Sequence, residues 1–134
     1  MELFVWSDAL SVGNEFIDRD HQQLIALINT FHDAVSQQRD REAIETSLDR
    51  LIDYTREHFA REEAAMQRIG YDDYPLHKQE HDVLIRDAVE LKDIFTSGMA
   101  ALSIKVSTFL KDWLLTHIMQ TDRLLAQAIA RTAN

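Results

Sequence analysis

Cysteine is absent from this chain of 134 residues, which excludes disulfides and thiolate-held metals and fits a reducing compartment. Only 3 glycines and 1 proline interrupt it. So few chain breakers favour long helices over many short strands. No apolar run approaches the roughly 20 residues needed to span a bilayer. The start, Met1-Glu2-Leu3-Phe4-Val5-Trp6-Ser7-Asp8, has neither a basic stretch nor an apolar one after it. No signal peptide is read there, and the expected location is the cytoplasm. Positive charge is also scarce, with 14 Lys+Arg against 23 Asp+Glu and a formal net charge of −9. That balance argues against nucleic acid or an anionic membrane as partner, since both require a positive footprint.

What is present is apolar residues in periodic order. They make up 46% of the chain, enough to build one domain over residues 1–134. Residues 1–17 lack helical periodicity and read as an N-terminal arm, with Trp6 expected to plug the end of the fold. Four amphipathic segments follow, at about 18–38, 40–69, 73–96 and 100–130. Their stripes run through Leu24, Ile25, Ile28, Phe31 and Val35; then Ile44, Leu48, Leu51, Ile52, Phe59, Met66 and Ile69. The third holds Val83, Leu84, Ala88, Leu91 and Phe95, and the fourth Leu102, Val106, Phe109, Leu110, Trp113, Leu124, Leu125 and Ala128. Asp18 and Asp40 stand where N-caps of the first two helices are expected, Gly70 where the second ends, and Pro75 in the first turn of the third. Ser97-Gly98 breaks the chain before the fourth. The expected fold is all-α: an up-down-up-down antiparallel four-helix bundle with an N-terminal arm.

The informative polar residues are six histidines: His21, His32, His58, His77, His81 and His117. A single histidine on an apolar stripe is more often a hydrogen-bonded core residue than a ligand. These have partners. His58 precedes Glu62 by four residues and His77 precedes His81 by four. Positions four apart differ by only about 40° around a helix, so each pair points from one face toward one centre. His21 lies three residues before Leu24, and His117 four residues after Trp113, so both continue inward stripes. Each helix thus offers at least one inward imidazole. If the second and third helices are antiparallel across the Gly70–Pro75 turn, Glu62 is level with His81 within about one helical turn. Buried imidazoles clustered without metal would leave unsatisfied nitrogens, at roughly 1–3 kcal/mol each. His32 is about 16 Å along the axis from His21, too far for the same metals, and reads as structural or partly exposed.

Asp122 follows His117 by five residues. In an ideal helix that spacing swings about 140°, off the stripe. Either Asp122 is a surface acid, which periodicity favours, or the helix is widened by a π-bulge that brings its carboxylate inward.

The set His21, His58-Phe-Ala-Arg-Glu62, His77-Lys-Gln-Glu-His81 and His117-Ile-Met-Gln-Thr-Asp122 resembles the hemerythrin signature in order and spacing. The Trp6 arm, the Asp18-Arg-Asp-His21-Gln-Gln-Leu24 start and the Gly70-Tyr71 turn resemble the bacterial branch of that family, the bacteriohemerythrins. The resemblance implies two iron ions, without haem, and O2 as ligand. It implies that His77, His81 and His117 hold one iron and His21 and His58 the other. Glu62 and Asp122 would bridge them, with an oxo or hydroxo ion as third bridge. The iron with two histidines would then keep an open position for O2.

Imidazole and carboxylate suit iron. Two carboxylates support high-valent iron less well than the about four of ferritin-like di-iron enzymes, so binding is expected rather than catalysis. Leu24, Phe59, Trp113, Leu114 and Ile118 are candidate walls of an apolar O2 pocket, and ordinary core packing accounts for them equally well. The leading function is reversible O2 binding for transport, storage or delivery, by a monomer. The alternatives are an oxygen or redox sensor acting through a protein partner, or a di-iron enzyme acting on peroxide or nitric oxide. His77-Lys-Gln-Glu-His81 also matches the HxxEH zinc-protease pattern, which leaves the other ligands unexplained and offers no substrate cleft. Arg61, Glu63, Asp72 and Asp73 read as solvated surface charge.

Overall fold

The computed structural model describes residues 3–96 and 103–132, with the side chains of 103–105, 118 and 119 left aside. A short 3-10 turn at Asp8–Leu10 interrupts the arm. Helix α1 spans Glu15–Ser36, α2 Arg41–Ile69 and α3 Tyr74–Thr96. The last part of the chain is α4 (Ser103–Thr116), a π-helical segment (His117–Asp122) and α5 (Arg123–Thr132). Thr116 and Arg123 both keep right-handed helical angles, so these three pieces form one continuous rod. The links at 37–40 and 70–73 are too short for anything but antiparallel neighbours. Contacts run α1 to α2, α2 to α3, α3 to α4 and α4 back to α1. The architecture is an up-down-up-down four-helix bundle with an N-terminal arm. Among the described residues no helix is long and apolar enough to cross a membrane.

Local signals explain most boundaries. The Asp40 side chain accepts from the Ala43 N–H at 2.9 Å and caps α2. Gly70, at φ 63°, ends α2 in the left-handed conformation that glycine adopts without a Cβ clash. α1 begins three residues earlier than its periodicity suggests. Asn14, not Asp18, is its N-cap, accepting from the Ile17 N–H at 3.1 Å. Asp18 instead ties down the arm, accepting from the Ser11 hydroxyl at 2.5 Å and the Val12 N–H at 2.9 Å. The arm is anchored most firmly at Phe4, while Trp6 packs against the edge of the larger core cluster as expected. Phe4 is buried and its backbone is clamped by Asn29, which accepts from its N–H at 3.0 Å and donates to its carbonyl at 2.7 Å. Trp6 is only half-buried.

The core is divided. The larger apolar cluster includes Leu24, Ile28, Phe31, Leu48, Leu51, Phe59, Leu110, Trp113 and Leu114. A smaller one joins Ile17, Met66, Leu125 and Ala126 near the α2–α3 turn. Buried polar residues of all four helices lie between these layers along the chain.

Three stripe residues face outward: Val83 at 36% exposure, Phe109 at 39% and Leu124 at 55%. The π-segment accounts for Leu124. It inserts about one extra residue into the turn and rotates the later stripe, though Ala128 stays buried. Leu125 and Ala126 therefore take the inward places, and both are buried. Leu102 and the Ser97-Gly98 break lie outside the described residues.

Candidate metal centre

Five imidazoles and two carboxylates converge in the layer between the two apolar clusters. His21, His58, Glu62, His77, His81, His117 and Asp122 are all buried, and His21, His58, Glu62 and Asp122 are fully so. α1 supplies His21, α2 His58 and Glu62, and α3 His77 and His81. The π-segment begins with His117 and ends with Asp122, so the widened turn contains the spacing of five that a regular helix could not turn inward. The structure thus decides between the two readings of Asp122. Its carboxylate faces the clustered imidazoles.

The carboxylate oxygens sort the histidines. Asp122 Oδ2 lies 2.5 Å from His21 Nε2 and 3.1 Å from His58 Nε2. Its other oxygen, Oδ1, lies 2.8 Å from His117 Nε2 and 3.3 Å from His77 Nε2. Glu62 Oε1 is 3.0 Å from His81 Nε2, 3.5 Å from His58 and from His117, and 3.6 Å from His77. Ligand atoms fall into two overlapping groups, one containing His21 and His58, the other His77 and His81. Glu62, His117 and Asp122 belong to both. His117 is the ambiguous member on distance alone, and its nearest carboxylate atom is the Oδ1 shared with His77.

The polar atoms crowd without pairing properly. His77 Nε2, His81 Nε2, His117 Nε2, both Glu62 oxygens and Asp122 Oδ1 are buried with no hydrogen-bond partner. Buried polar atoms are ordinarily satisfied, and each orphan costs about 1–3 kcal/mol. Here the orphans face one another around a common centre, the arrangement expected of atoms that share a cation. Their electrostatics agree. Burial resists charge on the rings, yet the carboxylates outweigh it and push His58 and His77 up to about 9 and His117 up to about 10. His21 moves down, because burial dominates over its bond to Asp122. Burial also favours neutral acids, but the imidazoles hold Glu62 down at about 2 and Asp122 well below the carboxylate range. Without a metal the rings themselves carry the positive charge that balances the two ionised carboxylates; a metal pair would take over that role from neutral imidazoles, and the orphaned donor atoms of the residues present fit one.

Behind the rings stand residues that spacing did not single out. His58 Nδ1 meets Asp20 Oδ2 at 2.9 Å, and His81 Nδ1 meets Glu63 Oε2 at 2.9 Å. Arg61 donates to both oxygens of Asp20, at 2.8 and 3.0 Å, and Tyr54 donates its hydroxyl at 3.0 Å. Arg61 and Glu63 are therefore not merely solvated charges. No pattern within α2 signals this, because the partners come from other helices.

Leu24, Phe59, Trp113 and Leu114 are buried in the larger cluster beside the site, and the Ile118 side chain lies outside the described residues. Phe59 stacks on His81, with centroids 3.7 Å apart and planes within 3°. It also lies against His58, with centroids 5.7 Å apart, and against His117 at 5.1 Å. His32 is half-buried and contacts Ser36, away from the cluster.

Comparison with known proteins agrees with this geometry. The hemerythrin HHE cation binding domain matches residues 12–129. The bacteriohemerythrin of Stenotrophomonas maltophilia is 34% identical over 134 residues, covering 100% of this chain and 86% of that protein. The bacteriohemerythrin of Methylococcus capsulatus is 35% identical over 133 residues, covering 97% of this chain and 99% of that one. A crystal structure of wild-type hemerythrin superposes with a TM-score of 0.88 at 34% identity, covering 96% of this chain and 98% of the other. With a buried cluster of imidazoles and carboxylates that all four helices build, and with these matches along nearly its whole length, the chain belongs to the hemerythrin family.

Proposed function

We propose that the cluster holds two iron ions and that the protein binds O2 reversibly, as one domain and without catalysing its further reaction. In this reading His77, His81 and His117 hold one iron, His21 and His58 the other, and Glu62 and Asp122 bridge them. The observation that carries it is the division of Asp122. One of its oxygens is turned to His21 and His58, the other to His77 and His117. A carboxylate so placed suits a bridge between two cations rather than a ligand to one.

An iron pair held in this cradle would supply the O2-binding chemistry, on the side that has two histidines instead of three. The protein's own contribution is positional. Four helices fix the rings before any ligand arrives, and Asp20 and Glu63 hold the Nδ1 sides of His58 and His81. Leu24, Trp113 and Leu114 beside the site keep bulk water from it. With two carboxylates among seven ligands, the site carries less anionic charge than oxygen-activating di-iron centres of about four carboxylates, which favours binding over oxidation.

The test is anaerobic reconstitution of the metal-free protein with ferrous iron, followed by metal analysis and visible spectra before and after air. Two irons per chain and an absorption band that appears with O2 and disappears on its removal are expected. A colourless protein that retains zinc, or one that steadily consumes O2, overturns the proposal.

A further inference from the structure

Asp20 is adjacent to His21 in α1 but turns away from the metal cluster. Its carboxylate, 7% exposed, sits behind His58 of α2, with Oδ2 at 2.9 Å from Nδ1. It is held there by three further hydrogen bonds from two residues. Arg61 donates through Nε to Oδ2 at 2.8 Å and through Nη2 to Oδ1 at 3.0 Å, a two-pronged grip that lysine could not make. Tyr54 adds its hydroxyl at 3.0 Å, and the Arg61 guanidinium lies 5.3 Å from the Tyr54 ring centre. The fellow ring His21 is different, since its buried Nδ1 has no partner. Of the two imidazoles on this side, one is locked from behind and the other is not.

Such a lock has a chemical consequence. A carboxylate accepting from Nδ1 keeps that proton in place, directs the Nε2 lone pair toward the centre and makes the ring a stronger donor. On the other side His81 has Glu63 in the same relation, but Glu63 is 21% exposed and its cation, Lys78, stands at 3.6 Å. We propose that Asp20, fixed by Arg61 and Tyr54, is a positioning residue for His58 that sets the metal affinity and reduction potential of the His21/His58 side. This rests on the reading of His58 as a ligand.

The experiment titrates metal-free protein with ferrous iron under nitrogen, resolving the two binding steps, and measures the reduction potential of the loaded protein. Asp20→Asn should weaken one step about 10- to 100-fold, the range for lost partners behind a ligand, and leave the other within about twofold. The potential should rise, because a weaker donor stabilises the ferric state less. Glu63→Gln should weaken the other step instead. Tyr54→Phe keeps the carboxylate and should shift affinity and potential in the same direction by less. If Asp20→Asn fails to fold, Tyr54→Phe and Arg61→Lys decide the matter. Wild-type affinity and potential in both would overturn the inference, as would an Asp20→Asn protein indistinguishable from wild type. A wild-type protein that takes up no metal pair would overturn the ligand reading as well, so the two failures are distinct.

Discussion

Helix α2 and the rod formed by α4, the π-segment and α5 each bring two buried side chains to the same cluster, by different means. In α2, His58 and Glu62 are four apart on an uninterrupted helix, and the backbone needs no adjustment to point both inward. In the last rod, His117 and Asp122 are five apart, and the helix widens over that stretch to bring both to the cluster. The regular helix carries its function within its period. The irregular one departs from its period where function requires it, as π-bulges often do. Thr121, inside the widened turn, donates to both oxygens of Glu80 on α3 at 2.9 Å, so the bulge is tied to a neighbouring helix.

The largest expected effect follows from removing what the bulge delivers. Asp122→Ala should lower metal uptake from two ions per chain toward one or none, measured by metal analysis after reconstitution. A variant that still binds two would show that the widened turn is not needed for the centre. Next comes the register after the bulge. Leu125→Ala should destabilise the protein by about 2–5 kcal/mol in chemical denaturation, whereas Leu124→Ala should stay within about 0.5 kcal/mol. The reverse order would mean that the rod is a plain α-helix in solution.

Smaller effects sharpen the contrast. Asp40→Ala removes the α2 cap and should lower stability by about 1 kcal/mol without changing metal content, since α2 needs only to form. Thr121→Val should cost about 0.5–1.5 kcal/mol and, unlike the cap variant, should also reduce metal uptake, while Thr121→Ser retains both. Equal metal content in the Asp40 and Thr121 variants would show that the tie to Glu80 plays no part in presenting Asp122.

The bundle and six of its seven cluster residues were legible because one period governs both. Apolar stripes place the core, and histidines on those stripes inherit the inward direction, as His58 beside Phe59 and His117 after Trp113 show. Most of the exceptions depend on features that helical period does not carry. Leu124 faces out because the chain shifts by one residue upstream of it. Asn14 displaces Asp18 as cap because Asp18 is bound by the arm. Phe4 joins Trp6 as an anchor of the arm because Asn29, 25 residues away, meets its backbone. Arg61 and Glu63 look solvated until Asp20 and His81 arrive from other helices.

The sequence by itself determined four amphipathic helices, their order and the inward direction of His21, His58, Glu62, His77, His81 and His117, since helical period acts within a few residues. The family resemblance implied that Asp122 joins them, against its period; only the tertiary structure showed that it does, that its two oxygens face different histidines, and that Asp20 stands behind His58. A π-turn is stable only where packing and buried ligands make up for its poorer geometry, and a hydrogen bond between helices exists only once they have met.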